Sequence, residues 1–281
     1  MSEQESCGYK KHMEEKEAAE REALTRRLAA VRNKILVLSG KGGVGKSTVA
    51  VNLAASLSLA GKKVGLLDID IHGPSIPKLL HLEGTPVVGE EDAIQPVDYS
   101  TNLKVMSIGL LMQDNDEAVI WRGPMKHSVI KQFLMHVDWG ELDYLVVDSP
   151  PGTGDEPLSI AQLMAGDARA VIVTTPQEVA LADVRKSILF CRKLTLPILG
   201  IIENMSGFVC PHCGEASNIF KTGGGEGMAH GMDVPFLGSI PIDPSVVMAC
   251  DDGKPFVDAY SETETAKAFD HVIQPLLELG R

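Results

Sequence analysis

The sequence predicts an α/β fold: a doubly wound, mostly parallel sheet with helices on both faces. Three observations predict it. Short uninterrupted apolar runs recur at Ile35–Leu38, Val64–Leu67, Tyr144–Val147, Ala170–Thr174 and Ile198–Ile202. Strands buried on both faces read this way. Helical stretches separate the runs, among them one from about Lys46 to Ala60 and one over Val179–Leu194, which is the alternation of a parallel sheet. A glycine-rich turn joins the first run to the helix that follows it. In such sheets ligands bind at the carboxyl ends of the strands.

The chain starts with a charged stretch, residues 13–31, expected to be helical. Glu17/Arg21 and Glu22/Arg26 are favourable i,i+4 pairs, and Leu24, Leu28 and Val31 form a narrow apolar stripe. This predicts a solvated helix docked by its last turns. The domain reading is therefore a charged helical extension over 1–33 and a single nucleotide-binding domain over 34–281. Residues 94–109 are expected to form two short strands in a hairpin. Residues 204–235, rich in glycine and carrying "CPHC", are expected to form a long loop. Loops of that length are usually functional.

Composition narrows the function. With 281 residues, 44% of them hydrophobic, a large core can be buried. The formal net charge of −12 argues against nucleic acid as the main partner, because phosphate binding needs clustered Lys and Arg. No apolar run approaches a membrane span, and the N-terminus lacks the apolar core of a secretory signal. A cytoplasmic protein is expected. The five cysteines, Cys7, Cys191, Cys210, Cys213 and Cys250, are too sparse for a disulfide framework. A CxxC in that compartment suggests metal or redox chemistry.

The glycine-rich turn is Gly40-Lys-Gly-Gly-Val-Gly45-Lys46-Ser47, a P-loop. Its backbone N–H groups, from Gly40 through Lys41, Gly42, Gly43, Val44 and Gly45 to Thr48, are expected to wrap phosphate oxygens, with the next helix aiming its positive end at them. Lys46 is expected on the β- and γ-phosphates and Ser47 on Mg²⁺. Asp148 ends the strand in "LVVDSPPGTGD" and is expected to hold Mg²⁺ directly or through water. Asp68 and Asp70 end another strand, where either could orient water or contact Mg²⁺. A carboxylate at a strand end can equally cap a helix.

Lys41 is a second lysine within the loop. The pattern Lys41-Gly-Gly-Val-Gly-Lys46-Ser-Thr resembles the deviant Walker A group, which includes MinD, ParA and the nitrogenase iron protein. The resemblance implies a homodimer in which Lys41 reaches the partner's ATP. Six further runs, "DIDIHGPSIPKLL", "WRGPM", "DSPPGTGDE", "TTPQEVALADVRK", "ENMSGFVCPHCG" and "GSIPIDPSV", together resemble the Mrp or ApbC-like family of iron–sulfur cluster carriers over about residues 33–275. That family implies a [4Fe–4S] cluster bridged by Cys210 and Cys213 of two subunits, loaded by assembly factors and delivered to apo-proteins. It also implies that Asn204 reads adenine, that Asp70 helps position the attacking water, and that Pro241–Asp243 line the base pocket. The four-cysteine N-terminal motif of some relatives is missing, with only Cys7 there, so a second, permanent cluster is not expected. Cys191 and Cys250 read as structural thiols.

Two other readings stay open from the residues. "CPHCG" also has the form of a zinc knuckle, which His212 or His230 could complete. A positioning ATPase of the MinD or ParA kind would need a basic membrane or DNA surface, and the tail "ETETAKAFDHVIQPLLELGR" has few basic residues. Slow hydrolysis is expected, since the sequence identifies no arginine finger; Arg122 is one candidate, and a structural ion pair suits it at least as well.

Overall fold

The computed structural model of the chain describes residues 3–71, 73–90, 93–111, 123–164, 166–209, 213, 215–279. It begins with helix α1 (Glu3–Ala29) and passes directly into β1 (Val31–Ser39), α2 (Lys46–Leu59) and β2 (Val64–Asp68). A short helix, α3 (Ile76–Leu79), and a two-residue ladder, β3 (Gly89–Glu90) with β4 (Ala93–Ile94), lead to β5 (Val97–Ser100) and β6 (Leu103–Ser107). Then come α4 (Gly123–His136), β7 (Leu142–Asp148), α5 (Asp155–Leu163), β8 (Ala168–Thr174), α6 (Glu178–Lys193) and β9 (Ile198–Glu203). A second small ladder, β10 (Phe208–Val209) with β11 (Ala216–Ser217), precedes α7 (Gly224–Gly231) and β12 (Phe236–Ser239). The chain closes with α8 (Pro244–Asp251), α9 (Phe256–Ala259) and α10 (Glu264–Glu278).

Eight strands form one sheet in the order β12-β9-β8-β1-β7-β2-β6-β5. Every pairing is parallel except that of β5 with β6, the hairpin expected over 94–109. Alternation along the strands sorts the core into two layers. Ile35, Val37, Leu66, Tyr144, Val146 and Val171 face a cluster with α2, α9 and α10, while Leu36, Leu38, Leu67, Leu145, Val147 and Ile172 face one with α4, α5 and α6. A period of two sends successive side chains to opposite faces, so both faces of each central strand are apolar. The Tyr144 hydroxyl donates to the Leu276 carbonyl at 2.8 Å, fastening α10 across the sheet.

Two expectations need correction. The N-terminal helix begins at Glu3, ten residues before the predicted start, and ends at Ala29. Val31 belongs not to its apolar stripe but to β1, buried and paired with Leu142. Sheet pairing there outweighs helix periodicity. Leu24 is buried as expected, and Lys131–Glu20 (2.6 Å) and Arg27–Asp138 ion pairs tie the last turns of α1 down. Residues 204–235 are also not a plain loop. They contain β10, β11 and α7.

Candidate nucleotide site and cysteine loop

Strands β1, β2, β7, β8 and β9 all run parallel and end together. Their last residues, Ser39, Asp68, Asp148, Thr174 and Glu203, are polar and fully buried. A polar row closing apolar strands is costly unless it is hydrogen-bonded, and here it outlines the site.

The P-loop leaves β1 and ends at Gly45, the N-cap of α2, with φ 78° and ψ 24°. That left-handed conformation suits glycine. A Cβ there would lie 2.3 Å from Asn204 Nδ2 and 3.6 Å from Met205 Cε. On the other side of the loop, a Cβ on Gly40 would lie 2.4 Å from the backbone of Asp183 in α6. Side chains are excluded at both positions because backbone and amide groups already fill the space. Lys46 opens α2, and its ammonium pairs with Asp148. It also reaches Ser47 Oγ at 3.4 Å. Lys41 is half-buried, and its carbonyl accepts from Ser39 Oγ at 3.0 Å. Among the described residues Lys41 makes no ion pair.

Asp148 is fully buried at the end of β7. Burial pushes its carboxyl pKa up, while Lys46 and the Ser47 hydroxyl pull it down. Its Oδ2 and the neighbouring Ser149 Oγ are buried and find no hydrogen-bond partner among the described residues. An orphaned carboxylate oxygen is expensive unless a cation or water completes it. Asp70 stands close enough to Asp148 to raise its pKa further. The oxygens of Ser47, Asp70 and Asp148 thus fit a hard divalent cation.

Asp68 takes a different part. It stands opposite Asp148 on the neighbouring strand. It accepts from the Asp70 N–H (3.0 Å), the Ile76 N–H (3.2 Å) and Ser107 Oγ (3.0 Å). It therefore holds the start of α3 and the loop bearing Asp70, the capping alternative of the two read from the sequence. Burial first, and then the Asp148 charge, push its pKa up to about 7. The turn Pro150–Gly154 folds back on the P-loop, with the Gly152 N–H donating to the Ser39 carbonyl at 2.8 Å. Lys126 of α4 pairs with Glu156 of α5 at 2.5 Å, joining the helix of the "WRGPM" run to this turn. Arg122 itself lies outside the described residues.

At the end of β9, Asn204 donates its side-chain amide to the Val44 carbonyl at 2.9 Å, and its N–H donates to Thr174 at 2.8 Å. Glu203, one residue earlier, turns to the cysteine segment. Its Oε1 accepts from Ser206 Oγ and from the Gly223 N–H at 2.8 Å, and its Oε2 accepts from the Gly225 N–H. Both ends of the segment carrying the CxxC are thereby fixed. Cys213 is exposed. Cys210 and His212 lie outside the described residues, and His230, on α7, is exposed. Among the described residues no group of three or more His, Cys, Asp or Glu is arranged to hold a metal ion. Cys191 is buried in α6, its thiol pushed up to about 12 by burial. Cys250, on α8, is only half-buried, and burial pushes its thiol pKa up. Asp243 caps α8 through Ser245 (2.9 Å) and accepts from Thr265 Oγ1 (2.8 Å).

Sequence reasoning missed Glu203, Ser149 and Lys126. A signal for Glu203 was present: an acidic residue ending an apolar strand, with Gly223-Gly-Gly twenty residues on. Buried carboxylates at such ends need N–H donors, and a glycine-opened helix supplies them.

The sheet, the P-loop and the strand-end carboxylates define a P-loop NTPase of the MinD and ParA type. The chain belongs to the NUBPL iron-transfer P-loop NTPase family, whose model matches residues 30–277. It is 52% identical over 251 residues to a cytosolic Fe-S cluster assembly factor NUBP2 homolog from Trichoplax adhaerens, covering 88% of this chain and 95% of that protein. It is 48% identical over 254 residues to the cytosolic Fe-S cluster assembly factor NUBP2 of Bos taurus, with 89% and 94% covered. Among solved structures, a nucleotide-binding protein of Archaeoglobus fulgidus in complex with ADP superposes with a TM-score of 0.76 at 40% identity, covering 89% of this chain and 96% of that one. The cell division ATPase MinD of Pyrococcus furiosus superposes with 0.65 at 27% identity, covering 88% and 99%.

Proposed function

We propose that the chain is a cytosolic ATPase that carries an iron–sulfur cluster as cargo. In this reading the nucleotide-binding domain expected over 34–281 runs from β1, which starts at Val31, and carries the cysteine segment of 204–235, while the helical extension is α1. Two chains form a homodimer, and Cys210 and Cys213 of each hold a shared [4Fe–4S] cluster. Thiolates are the usual ligands of such clusters, and a two-fold axis completes a half-site on each chain. Assembly factors load the cargo and apo-proteins receive it. Neither nucleic acid nor membrane has a part.

One observation carries the reading: the strand end that lays Asn204 on the P-loop is the one from which the cysteine loop springs. In the ATP-bound chain, N–H groups of residues 40–48 cradle the phosphates at the positive end of α2. Lys46 exchanges Asp148 for the β- and γ-phosphates. Mg²⁺ would be held by Ser47, Asp148 and Asp70, and when bound it neutralises phosphate charge. Asp70 helps orient the attacking water and Lys41 serves the partner's nucleotide. Asn204, beside Gly45, is placed to read the base. Hydrolysis is slow, since no arginine finger, worth about 10³–10⁵ in rate where one is present, is identified beyond the candidate Arg122.

The test is a Cys210→Ala/Cys213→Ala double variant under anaerobic reconstitution. It is expected to take up no cluster while binding ADP as the parent does. A full cluster on this variant would sink the site assignment.

A further inference from the structure

We propose that Glu203 is a positioning residue that links the cysteine loop to the state of the nucleotide site. This rests on the reading of residues 40–48 and 204 as the nucleotide site and of Cys210 and Cys213 as the cargo site. Four consecutive residues, Glu203-Asn-Met-Ser206, divide between the two sites. Asn204 and Met205 lie against the P-loop at Val44 and Gly45. Glu203 and Ser206 face the cysteine segment and bond each other.

The division has a backbone cause. Met205 has φ 57°, a left-handed conformation that side-chain-bearing residues adopt at a cost. The kink turns the chain between the P-loop and the way out to Cys210. The way out is pinned on one side by backbone bonds of Ser206 to Ile240 (2.9 Å) and of Ile242 to Gly207 (2.8 Å). The way back has Glu203. It holds Gly223 and Gly225 at the N-terminus of α7, where a carboxylate also meets the positive helix end. A Cβ on Gly225 would lie 3.1 Å from Glu203 Oε2 and 3.2 Å from Thr174 Cγ2, so the seat is close-fitting.

Glu203 and Asn204 share one peptide unit. A nucleotide that draws the Asn204 amide off the Val44 carbonyl therefore shifts the peg on which both ends of the cysteine segment hang. Coupling of this kind is reciprocal: the cargo, by fixing the loop, alters nucleotide affinity in turn.

The experiment uses the full-length, cluster-free chain. Alkylation of Cys213 by iodoacetamide is timed by peptide mass mapping with and without Mg-ADP, with the buried Cys191 as a silent internal reference. In the wild type Mg-ADP is expected to change the Cys213 rate about fivefold or more, within the usual span of coupled sites. In Glu203→Gln, where one carboxylate oxygen becomes an amide donor facing N–H groups, the ratio falls to about one while ADP affinity stays within about twofold. Simple loosening of the loop would raise both rates and leave the ratio standing. If Glu203→Gln does not fold, Ser206→Ala removes one Glu203 bond and is expected to lower the ratio partway. An unchanged ratio in the folded variant, or a wild-type ratio of about one, overturns the proposal. A chain that binds ADP but takes up no iron would sink the cargo reading without touching this ratio.

Discussion

Lys46 and Asp148 form an ion pair sealed from water, with 6% of one side chain and 0% of the other exposed. Breaking a buried pair from one side leaves an uncompensated charge and costs about 3–5 kcal/mol, less where the survivor can neutralise itself. Lys46→Ala should therefore destabilise the nucleotide-free chain, although the lysine is usually read as a phosphate ligand. Adding Asp148→Asn should recover part of the loss. Urea unfolding of the two single variants and the double variant checks this. Losses that simply add, to within about 0.5 kcal/mol, would contradict it. Lys46→Ala should also weaken ATP binding by about tenfold or more, as a lost charge-assisted bond does.

Asp68 carries a pH signature. Its folded pKa of about 7 lies above the ordinary 3.8, so the folded chain holds this proton more tightly than the unfolded one. Stability from this group is full below about pH 4 and is lost as the pH rises to about 7. Chemical denaturation across that window should show the wild type losing stability relative to Asp68→Asn as pH rises. Parallel curves would mean that Asp68 stays ionised in the fold.

Gly45→Ala should disable the site while leaving the sheet intact. The left-handed backbone alone costs a Cβ about 1–2 kcal/mol, and that Cβ would collide with Asn204 Nδ2 at 2.3 Å. The expected outcome is a native circular dichroism spectrum with ADP affinity down about tenfold or more. Retained affinity would mean that the Asn204–Val44 contact is dispensable.

The two P-loop lysines should separate. Lys41 makes no ion pair among the described residues, whereas Lys46 is locked to Asp148. Lys41→Ala should keep nucleotide affinity within about threefold but lose the ATP-dependent rise in mass on a sizing column. A variant that still dimerises with ATP and hydrolyses it normally would remove Lys41 from the shared site.

What could be read from the sequence follows local signals. The strands announced themselves because burial on both faces makes a continuous apolar run, as in Ile35–Leu38 and Tyr144–Val147. The P-loop announced itself by spacing. Asp68 could not be assigned between catalysis and capping, because its partners Ile76 and Ser107 come from separate elements. Cys250 read as a structural thiol, and its partial exposure follows from the place of α8 in the fold, which no local signal marks. The start of α1 was missed because a charged helix carries no apolar period to mark its end. The structure within 204–235 was missed because two-residue ladders are too short to show a period, and α7 has only eight residues, four of them glycine, a poor helix former.

In the proposed dimer two chains share one cluster through Cys210 and Cys213. The most direct test is iron, sulfide and zinc per chain on anaerobically reconstituted protein, together with its mass in solution and its absorption and Mössbauer spectra. The expected result is a dimer with about two irons and two sulfides per chain and the spectra of a [4Fe–4S] centre. A monomer holding about one zinc per chain and taking up no iron would contradict it and make the CPHC a structural knuckle.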